Sequence, residues 1–423
     1  MQQHFDRWTK GRTIRSVGTN AGAAELPFQN WRRFKEAFAP ELIREAVEAS
    51  RIPVNNCLDP FGGSGTTALA CQFLDVEPVT VEVNPFLADL IQAKLTRYNA
   101  DDLVRDFSNL MRRVKRNTLA LDMVTFLSSA PPTFVEPGVK GRWIFDRAIA
   151  ERIHLLLSEI ERIPNSFHRR LFRVLLGGVL VDVSNVVVSG KGRRYRRGNR
   201  VRTSEEVDSA FRDTVCRAIA EIHEFGDRPM RRFTVLREDC RSVKHACGSF
   251  DLSVFSPPYP NSFDYTDVYN VELWTLGYLK DGQANQALRR STISSHVQIS
   301  RDYARPPRGS RTLNLTLRKL GSVRDNLWNR WIPEMVGAYF ADMVTVLSTV
   351  RNALRSGGSI WMVVGDSRYG GVSIPTASIL RELSSALALH SERVSPFRSM
   401  RTSAQQGGSE DLAETLLVFS RHD

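Results

Sequence analysis

The stretch "NNCLDPFGGSGTTALACQFLDVEPVTVEVNP", residues 55–85, contains the pattern that decides the fold. Cys57 and Leu58 mark the end of a predicted strand, and a tight glycine-rich loop follows them. Residues 67–74 are predicted to be a helix and residues 77–85 a second buried strand. A strand, a glycine loop, a helix and a strand in this order form a βαβ unit, whose strands run parallel. The stretch therefore predicts an α/β fold.

Two basic, helical segments interrupt this pattern along the chain. Residues 99–232 are helical and rich in arginine, after which "RRFTVLRED" and "SFDLSVFSPPY" are predicted strands. Residues 262–330 form the second basic segment. A long helix is predicted over 335–354 and ends before Gly357-Gly358, and "SIWMVVGD" and "DLAETLLVFS" are the last predicted strands. We expect a mostly parallel, doubly wound sheet built from residues 1–98 and 233–423, with inserts at 99–232 and at about 280–330.

Composition narrows the class of partner. The 423 residues carry a formal net charge of +12, which favours a polyanion such as nucleic acid. The five cysteines include no C-x-x-C pair, so we expect neither a disulfide framework nor a metal site. The first residues contain no apolar signal segment, and no apolar run is long enough to cross a membrane. These features predict a cytoplasmic protein.

The glycine loop and the strand ends after it supply candidate binding groups. No lysine follows the last glycine, as in a P-loop, and the spacing is not G-x-G-x-x-G, so the loop fits neither of those phosphate-binding patterns. Glu82, at the end of the second strand, is placed to accept both hydroxyls of a ribose. Asp239, which precedes Cys240 and follows the strand "FTVL", is placed to accept from an adenine amine. The alternatives are an ordinary βα turn for the loop, a solvated carboxylate for Glu82, and a helix N-cap or surface turn for Asp239.

A second constellation lies where the strand "DLSVF" stops at Ser256-Pro257-Pro258-Tyr259. Two prolines cannot continue a central strand, because neither donates a ladder hydrogen bond. The serine hydroxyl and the proline carbonyls are acceptors, and Tyr259 supplies a flat face. Together these groups suit a planar molecule with an exocyclic amine. The alternative is a plain proline turn.

With both motifs in one chain, the sequence resembles the S-adenosylmethionine-dependent DNA methyltransferases that modify cytosine N4 or adenine N6. The resemblance rests on "LDPFGGSGTT" and "SPPY", and extends to "NWRRFKEAFAPELI", "VEVNP", "PNSFDYTDVYNVELWTLGYL" and the C-terminal "GGSIWMVVGDSRYGGVSIPTASIL". It implies a Rossmann-like class I methyltransferase fold. It also implies S-adenosylmethionine as cofactor, held by Lys35, Phe38, Pro40, Asp59, Pro60, Phe61, Gly63, Ser64, Gly65, Thr66, Glu82, Asp239 and Cys240.

The resemblance further implies a reaction. Serine in the first position of the tetrapeptide favours cytosine N4 within the family, whereas aspartate or asparagine favours adenine N6. We therefore expect a site-specific methyltransferase acting on the N4 amine of cytosine in double-stranded DNA, with Ser256, Pro257, Pro258 and Tyr259 as its catalytic residues. The target base must leave the duplex, because its amine is paired there. Phe263 and Tyr265 either line the base pocket or are core aromatics.

The basic inserts are the expected DNA-binding parts. The first, 99–232, is the expected target-recognition region, with Lys191, Arg193, Arg194, Arg196 and Arg197 on phosphates. The stretch 289–330 also contains many arginines that fit DNA contacts; a solvated face or a loop is the alternative for each run. A separate cognate restriction endonuclease is an expected functional partner. Competing hypotheses are an adenine-N6 enzyme, an RNA or protein amino-methyltransferase, and an inactive DNA-binding paralogue.

Overall fold

The computed structural model describes residues 2–14, 22–32, 38–117, 127–189, 192–196, 202–261, 263–401 and 411–421. The helices are α1 Gln2–Thr9, α2 Glu41–Glu48, α3 Thr66–Phe73, α4 Pro85–Leu95, α5 Ala100–Arg116, α6 Arg147–Glu161, α7 Ser166–Val179, α8 Ser204–Glu224, α9 Tyr265–Val268, α10 Asn270–Thr275, α11 Gly282–Arg290, α12 Arg311–Ser322, α13 Ile332–Ala353 and α14 Thr376–Ser385. The strands are β1 Asn56–Asp59, β2 Glu77–Val81, β3 Val186–Ser189, β4 Gly192–Tyr195, β5 Thr234–Leu236, β6 Phe250–Phe255, β7 Leu354–Gly365, β8 Ser367–Tyr369, β9 Val372–Ile374, β10 Leu389–Arg401 and β11 Asp411–Arg421.

Seven strands form the central sheet in the order β10-β11-β7-β6-β1-β2-β5. The strands β5, β2, β1, β6 and β7 pair in parallel, and β11 is antiparallel to both of its neighbours. The chain begins at the centre of the sheet and winds outward in both directions. The prediction of a mostly parallel, doubly wound sheet is confirmed. In such a sheet ligands bind at the carboxyl ends of the parallel strands, which here are the ends of β1, β2, β5, β6 and β7.

Apolar residues cover both faces of the sheet, because successive side chains of a strand point to opposite faces. Cys57 of β1 belongs to the core on one face, together with α3 and α4. Leu58, the next residue, belongs to the core on the other face, with α13 and α14. Every residue of α3 is buried, so the helix that follows the glycine loop is enclosed on all sides. The loop is therefore held between rigid elements.

The first basic insert continues the core of the sheet. Side chains of α5, α6, α7 and α8 belong to the same apolar cluster as α3 and α4. The ring of Phe107 lies 5.8 Å from that of Phe172 and 5.9 Å from that of Phe211, which joins three of the insert's helices. Asp89 of α4 accepts hydrogen bonds from Arg170 of α7 at 3.1 Å and from Tyr278 at 2.5 Å. The insert is thus packed directly onto the α/β core.

Two local predictions differ from the structure. Gly357 and Gly358 do not follow the end of a helix, because α13 already ends at Ala353 and β7 begins at Leu354. The glycines lie inside β7, where the pairing with β6 is irregular and Gly357 has a φ of 77°. Residues 186–189 and 192–195 are not helical either: they are the strands β3 and β4, which pair antiparallel. Among the described residues no helix is long and apolar enough to cross a bilayer.

Candidate active site

Two buried carboxylates stand side by side at the carboxyl edge of the sheet. Asp59 is the last residue of β1 and Glu82 directly follows β2, and these strands are neighbours. Asp59 accepts from the backbone N–H of Phe61 at 2.9 Å, and Glu82 accepts from the N–H groups of Gly63 at 2.7 Å and Asn84 at 2.8 Å. Their side chains are only 3% and 8% exposed. Burial, opposed in part by these hydrogen bonds, raises the pKa of each carboxyl to about 7.

No cation among the described residues forms an ion pair with either carboxylate. Each retains lone pairs beyond the hydrogen bonds given above. A buried anionic pair of this kind fits a ligand that brings hydroxyl donors and a positive charge, as S-adenosylmethionine does with its ribose, its ammonium and its sulfonium. The residues present therefore fit the cofactor.

The glycine loop is pressed against the strand and helix behind it. A Cβ atom on Gly62 would lie 2.3 Å from Cγ2 of Thr80, and one on Gly65 would lie 2.9 Å from Cγ1 of Ile91. Gly65 also has a φ of 81° at the start of α3, a conformation that favours glycine. Pro60, Ser64 and Thr66 are buried in this loop, and Phe61 is half-buried with its ring 5.7 Å from that of Phe255. The loop thus lies close to both β2 and β6.

The buried Lys94 hydrogen-bonds to the glycine loop, and the sequence analysis did not identify this residue. Nζ of Lys94, in the last turn of α4, donates to the carbonyl of Ser64 at 2.8 Å and to Oε1 of Gln29 at 3.2 Å. Burial lowers the pKa of this ammonium to about 7, while the charge of Glu221 opposes the shift. The signal available in the sequence was a single lysine in the mostly apolar helix "PFLADLIQAKL".

The N-terminal cofactor segment is only partly described. Lys35 lies outside the described residues. Phe38 is buried in the core, and Pro40 is the buried residue before α2. Inside this segment, which is residues 30–43, Nε of Arg32 donates to Oε1 of Glu272 at 2.6 Å in a buried ion pair. This pair joins the segment to α10, which follows the tetrapeptide Ser256–Tyr259 in the chain.

Asp239 lies in a turn closed by an arginine. Its carboxylate accepts from the N–H of Arg241 at 2.9 Å and from the guanidinium of the same residue at 2.5 Å. Arg241 also donates to Asp342 of α13 at 3.1 Å. Cys240 lies between Asp239 and Arg241 in the chain and is half-buried. Burial and the charge of Asp239 raise the pKa of its thiol. The local contacts are those of the turn named above as the alternative, and the adenine role stays a prediction.

The tetrapeptide begins directly after β6, which pairs with β1 and brings Ser256 to the same edge as Asp59. Oγ of Ser256 donates to the carbonyl of Val363 in β7 at 3.0 Å. The hydroxyl of Tyr259 donates to Oε1 of Glu414 in β11 at 2.8 Å, and Oγ of Ser256 lies 3.4 Å from the Tyr259 hydroxyl. Pro257 is buried, whereas Pro258 is half-buried. Ser256 and Tyr259 thus lie at the same edge of the sheet as the carboxylates of Asp59 and Glu82.

The two aromatic residues after the tetrapeptide differ in their surroundings. Phe263 is 4% exposed and belongs to the apolar core, whereas Tyr265 is half-buried. Their rings form an edge-to-face contact with centroids 4.4 Å apart. Asp264 between them pairs with Arg289 of the second insert at 2.5 Å. Phe263 is therefore a core aromatic, and the base-pocket role stays a prediction for Tyr265.

The predicted DNA-binding run is partly described. Lys191 and Arg197 lie outside the described residues. Arg193 and Arg194 are on β4, where Arg194 is exposed, while Arg196 donates to the carbonyls of Ser184 and Val181, both at 3.2 Å. The β4 strand packs against α9, next to the tetrapeptide. No cluster of three or more potential metal ligands occurs among the described residues.

Comparisons with known proteins show similarity to DNA methyltransferases. A family model described as DNA methylase, for N6 and N4 methyltransferases, matches residues 3–93. The type II methyltransferase M.AvaI of Nostoc sp. is 23% identical over 93% of this chain and 86% of its own length. M.BsoBI of Geobacillus stearothermophilus is 22% identical over 82% of this chain and 75% of its own. M.XycI of Xanthomonas campestris is 42% identical over 64 residues, which are 15% of this chain and 21% of that protein.

A solved S-adenosylmethionine-dependent methyltransferase from Methanosarcina mazei aligns with 89% of this chain and 97% of its own, at 8% identity and a TM-score of 0.31. That likeness is too distant to support an argument, and the fold class rests on the sheet described above. The sheet, the carboxylate edge and the family model define an S-adenosylmethionine-dependent methyltransferase. Together with the two type II methyltransferases that align over most of the chain, the match over residues 3–93 supports a relationship to the N6/N4 DNA methylases.

Proposed function

We propose that this protein is a site-specific DNA methyltransferase of the SPPY subgroup and acts on the N4 amine of cytosine. The proposal rests on the position and hydrogen bonding of Ser256. Its oxygen lies at the carboxyl end of β6, beside the carboxylates of β1 and β2, and its proton is directed to Val363. Adenine N6 is the second candidate, because an adenine amine presents the same two N–H donors. The type II relatives suggest action beside a separate restriction endonuclease in the cytoplasm.

The chain's own residues explain how an amine becomes reactive. S-adenosylmethionine supplies a methyl group already activated on a sulfonium. The base amine is a poor nucleophile, because its lone pair is delocalised into the ring. Acceptance of its two hydrogens by Oγ of Ser256 and the carbonyl of Pro257 stabilises the positive charge that develops on the nitrogen. Tyr259 stacks on the base ring. The base is flipped out of the duplex to reach this edge.

We assign the DNA contacts to two surfaces beside the catalytic edge. The first is the β3–β4 hairpin with Arg193 and Arg194, within the proposed target-recognition region. The second, here called the α12 surface, comprises Arg311, Leu315 and Arg318 of α12 together with Trp328, Arg330 and Trp331, which follow this helix in the chain.

The α12 surface has the composition of a nucleic-acid contact. Leu315, Trp328 and Trp331 are 46%, 50% and 51% exposed, which is unusual for such large apolar side chains. Arg311 and Arg318 are exposed on α12 and form no ion pair with a described carboxylate. The helix packs on β9, just beyond the carboxyl end of β7. Cations for phosphates beside aromatic faces for unstacked bases are typical of such surfaces.

Replacing both Arg311 and Arg318 by serine tests the α12 surface. Two lost phosphate contacts are expected to lower the slope of log K against log salt by about 2 for duplex DNA. The rate at saturating DNA is expected to stay unchanged, because neither residue reaches the catalytic edge. The matched control replaces Arg51 and Lys244, two exposed cations on segments that lead into the amino ends of β1 and β6. Equal salt slopes for the two double variants would remove the α12 surface from the DNA interface.

Mapping of modified bases tests the reaction itself. The protein is expressed in a host that lacks DNA methylation, and its genomic DNA is sequenced by a method that detects modified bases. We expect N4-methylcytosine within one short sequence motif. Methyladenine in a motif would select the adenine-N6 alternative. Unmodified DNA would contradict the proposal and favour an RNA or protein substrate, or an inactive DNA-binding paralogue.

A further inference from the structure

A carboxylate far along the chain reaches the catalytic tetrapeptide. Glu414 lies in β11, opposite Gly365 of β7, and only 4% of it is exposed. Its Oε1 accepts the hydroxyl hydrogen of Tyr259 at 2.8 Å. It lies 155 positions from Tyr259, so no local motif connects the two.

The partners of these hydroxyls fix the direction of each hydrogen bond. The Tyr259 hydroxyl donates to Oε1 of Glu414, so its single proton points toward that carboxyl group. Burial and the charge of Glu414 both raise the pKa of Tyr259, so the phenol stays protonated and remains a donor. The proton of Ser256 has two acceptors within the protein, the carbonyl of Val363 at 3.0 Å and the Tyr259 oxygen at 3.4 Å.

The consequence concerns the serine oxygen. If the Tyr259 proton were free to turn, it would point at Oγ of Ser256 and occupy a lone pair there. Glu414 holds that proton away, and Val363 holds the serine proton away. Oγ of Ser256 then presents lone pairs to the substrate, which matches an amine and mismatches a carbonyl oxygen.

We propose that Glu414 is a positioning residue that keeps Ser256 an acceptor and so makes the site select bases with an amino group over bases with a carbonyl oxygen at the same position. This inference rests on the proposed function, since it takes Ser256 as the contact to the base. It extends that function by assigning the rejection of the carbonyl analogue, uracil for cytosine or hypoxanthine for adenine, to a residue of β11.

The test uses Glu414→Gln, whose amide has nearly the same shape but can donate to the tyrosine oxygen and turn its proton toward Ser256. Affinity is measured for duplexes that carry, in the mapped motif, either the amino base or its carbonyl analogue. The analogue also weakens base pairing in the duplex, but this effect belongs to the DNA and is the same for every protein variant. A difference in the ratio of the two Kd values between variants therefore reports only on contacts made by the protein. We expect the preference for the amino base to fall about tenfold, the effect of one hydrogen bond. We also expect a fall in kcat with an unchanged Kd for S-adenosylmethionine.

Three further variants make the outcome decisive. Glu414→Asp keeps the charge and is expected to restore part of the preference. Glu392→Gln, an exposed carboxylate of β10, is the matched control. In Tyr259→Phe the proton to be oriented is absent, so adding Glu414→Gln is expected to change the ratio no further. An unchanged ratio in a folded, cofactor-binding Glu414→Gln protein would overturn the role of Glu414. If Ser256→Ala were also fully active, the proposed function would fail as well, so the two failures are distinguishable.

Discussion

Ser256→Ala is expected to lower the single-turnover rate of DNA methylation by roughly 10²–10³. The serine oxygen is the side-chain acceptor at the end of β6 that faces the expected amine, and alanine removes it without changing the backbone. The proposed cofactor ligands Asp59 and Glu82 lie at the ends of other strands, β1 and β2. The Kd for S-adenosylmethionine is therefore expected to change less than about twofold, as is typical of a substitution that removes no contact to the ligand. Transfer of labelled methyl groups to DNA and calorimetric titration of the cofactor measure the two quantities.

Ser249→Ala is the control for this substitution. Ser249 precedes β6, is far from its carboxyl end, and donates only to the nearby carbonyl of Ala246 at 2.7 Å. Full activity is expected there. Methylation at the normal rate by the Ser256→Ala protein would remove the catalytic role assigned to this serine.

Asp59→Asn and Glu82→Gln are expected to weaken cofactor binding by a hundredfold or more, and Asp59→Asn is also expected to make the protein without cofactor more resistant to heat at pH 8. Asp59→Asn keeps the oxygen that accepts from the N–H of Phe61, whereas Glu82→Gln keeps only one of the two oxygens that accept from Gly63 and Asn84. Both amides lose the charge that attracts a cationic ligand. They also remove the cost of a buried charge. The pKa of Asp59 rises from 3.8 to about 7 on folding. At pH 8 this shift lowers the free energy of unfolding by about 4 kcal/mol.

The pH dependence gives this prediction its sign. In the folded protein both carboxyls hold their protons up to a pH of about 7, whereas in the unfolded chain they lose them near pH 4. The folded state therefore binds more protons between these values, and the stability of the unsubstituted protein falls as the pH rises through this window. The gain in Tm of Asp59→Asn should be small at pH 5 and largest at pH 8. Cofactor affinity of the unsubstituted protein should fall as the pH drops below 7.

Asp75→Asn serves as the comparison for both variants. Asp75 pairs with Arg231 at 2.7 Å on the surface, and neither residue lies at the carboxyl edge of the sheet. This substitution is expected to leave cofactor affinity unchanged. Amide variants of Asp59 and Glu82 that bind S-adenosylmethionine normally would show that the carboxylate edge is not the cofactor site.

The sequence alone was sufficient for the βαβ unit, the parallel sheet and the residues at its carboxyl edge. These features follow from local chemistry: a glycine with positive φ at residue 65, an acidic residue after each of two apolar strands, and prolines that end a third. Strand ends of a parallel sheet meet at one edge whatever the length of the inserts. Asp59, Glu82 and Ser256 could therefore be grouped before any distance was known.

The tertiary structure alone decided what holds those residues in place. Lys94 beneath the loop, Val363 beside Ser256 and Glu414 behind Tyr259 lie 30, 107 and 155 positions from their partners. A hydrogen bond over such a separation exists only because strands and helices pack side by side, and no periodicity or spacing in the chain encodes it. The position of Gly357 inside β7 has the same origin, since the sheet extended that strand back to Leu354. Local sequence determined which groups stand at the edge, and packing determined which way their protons point.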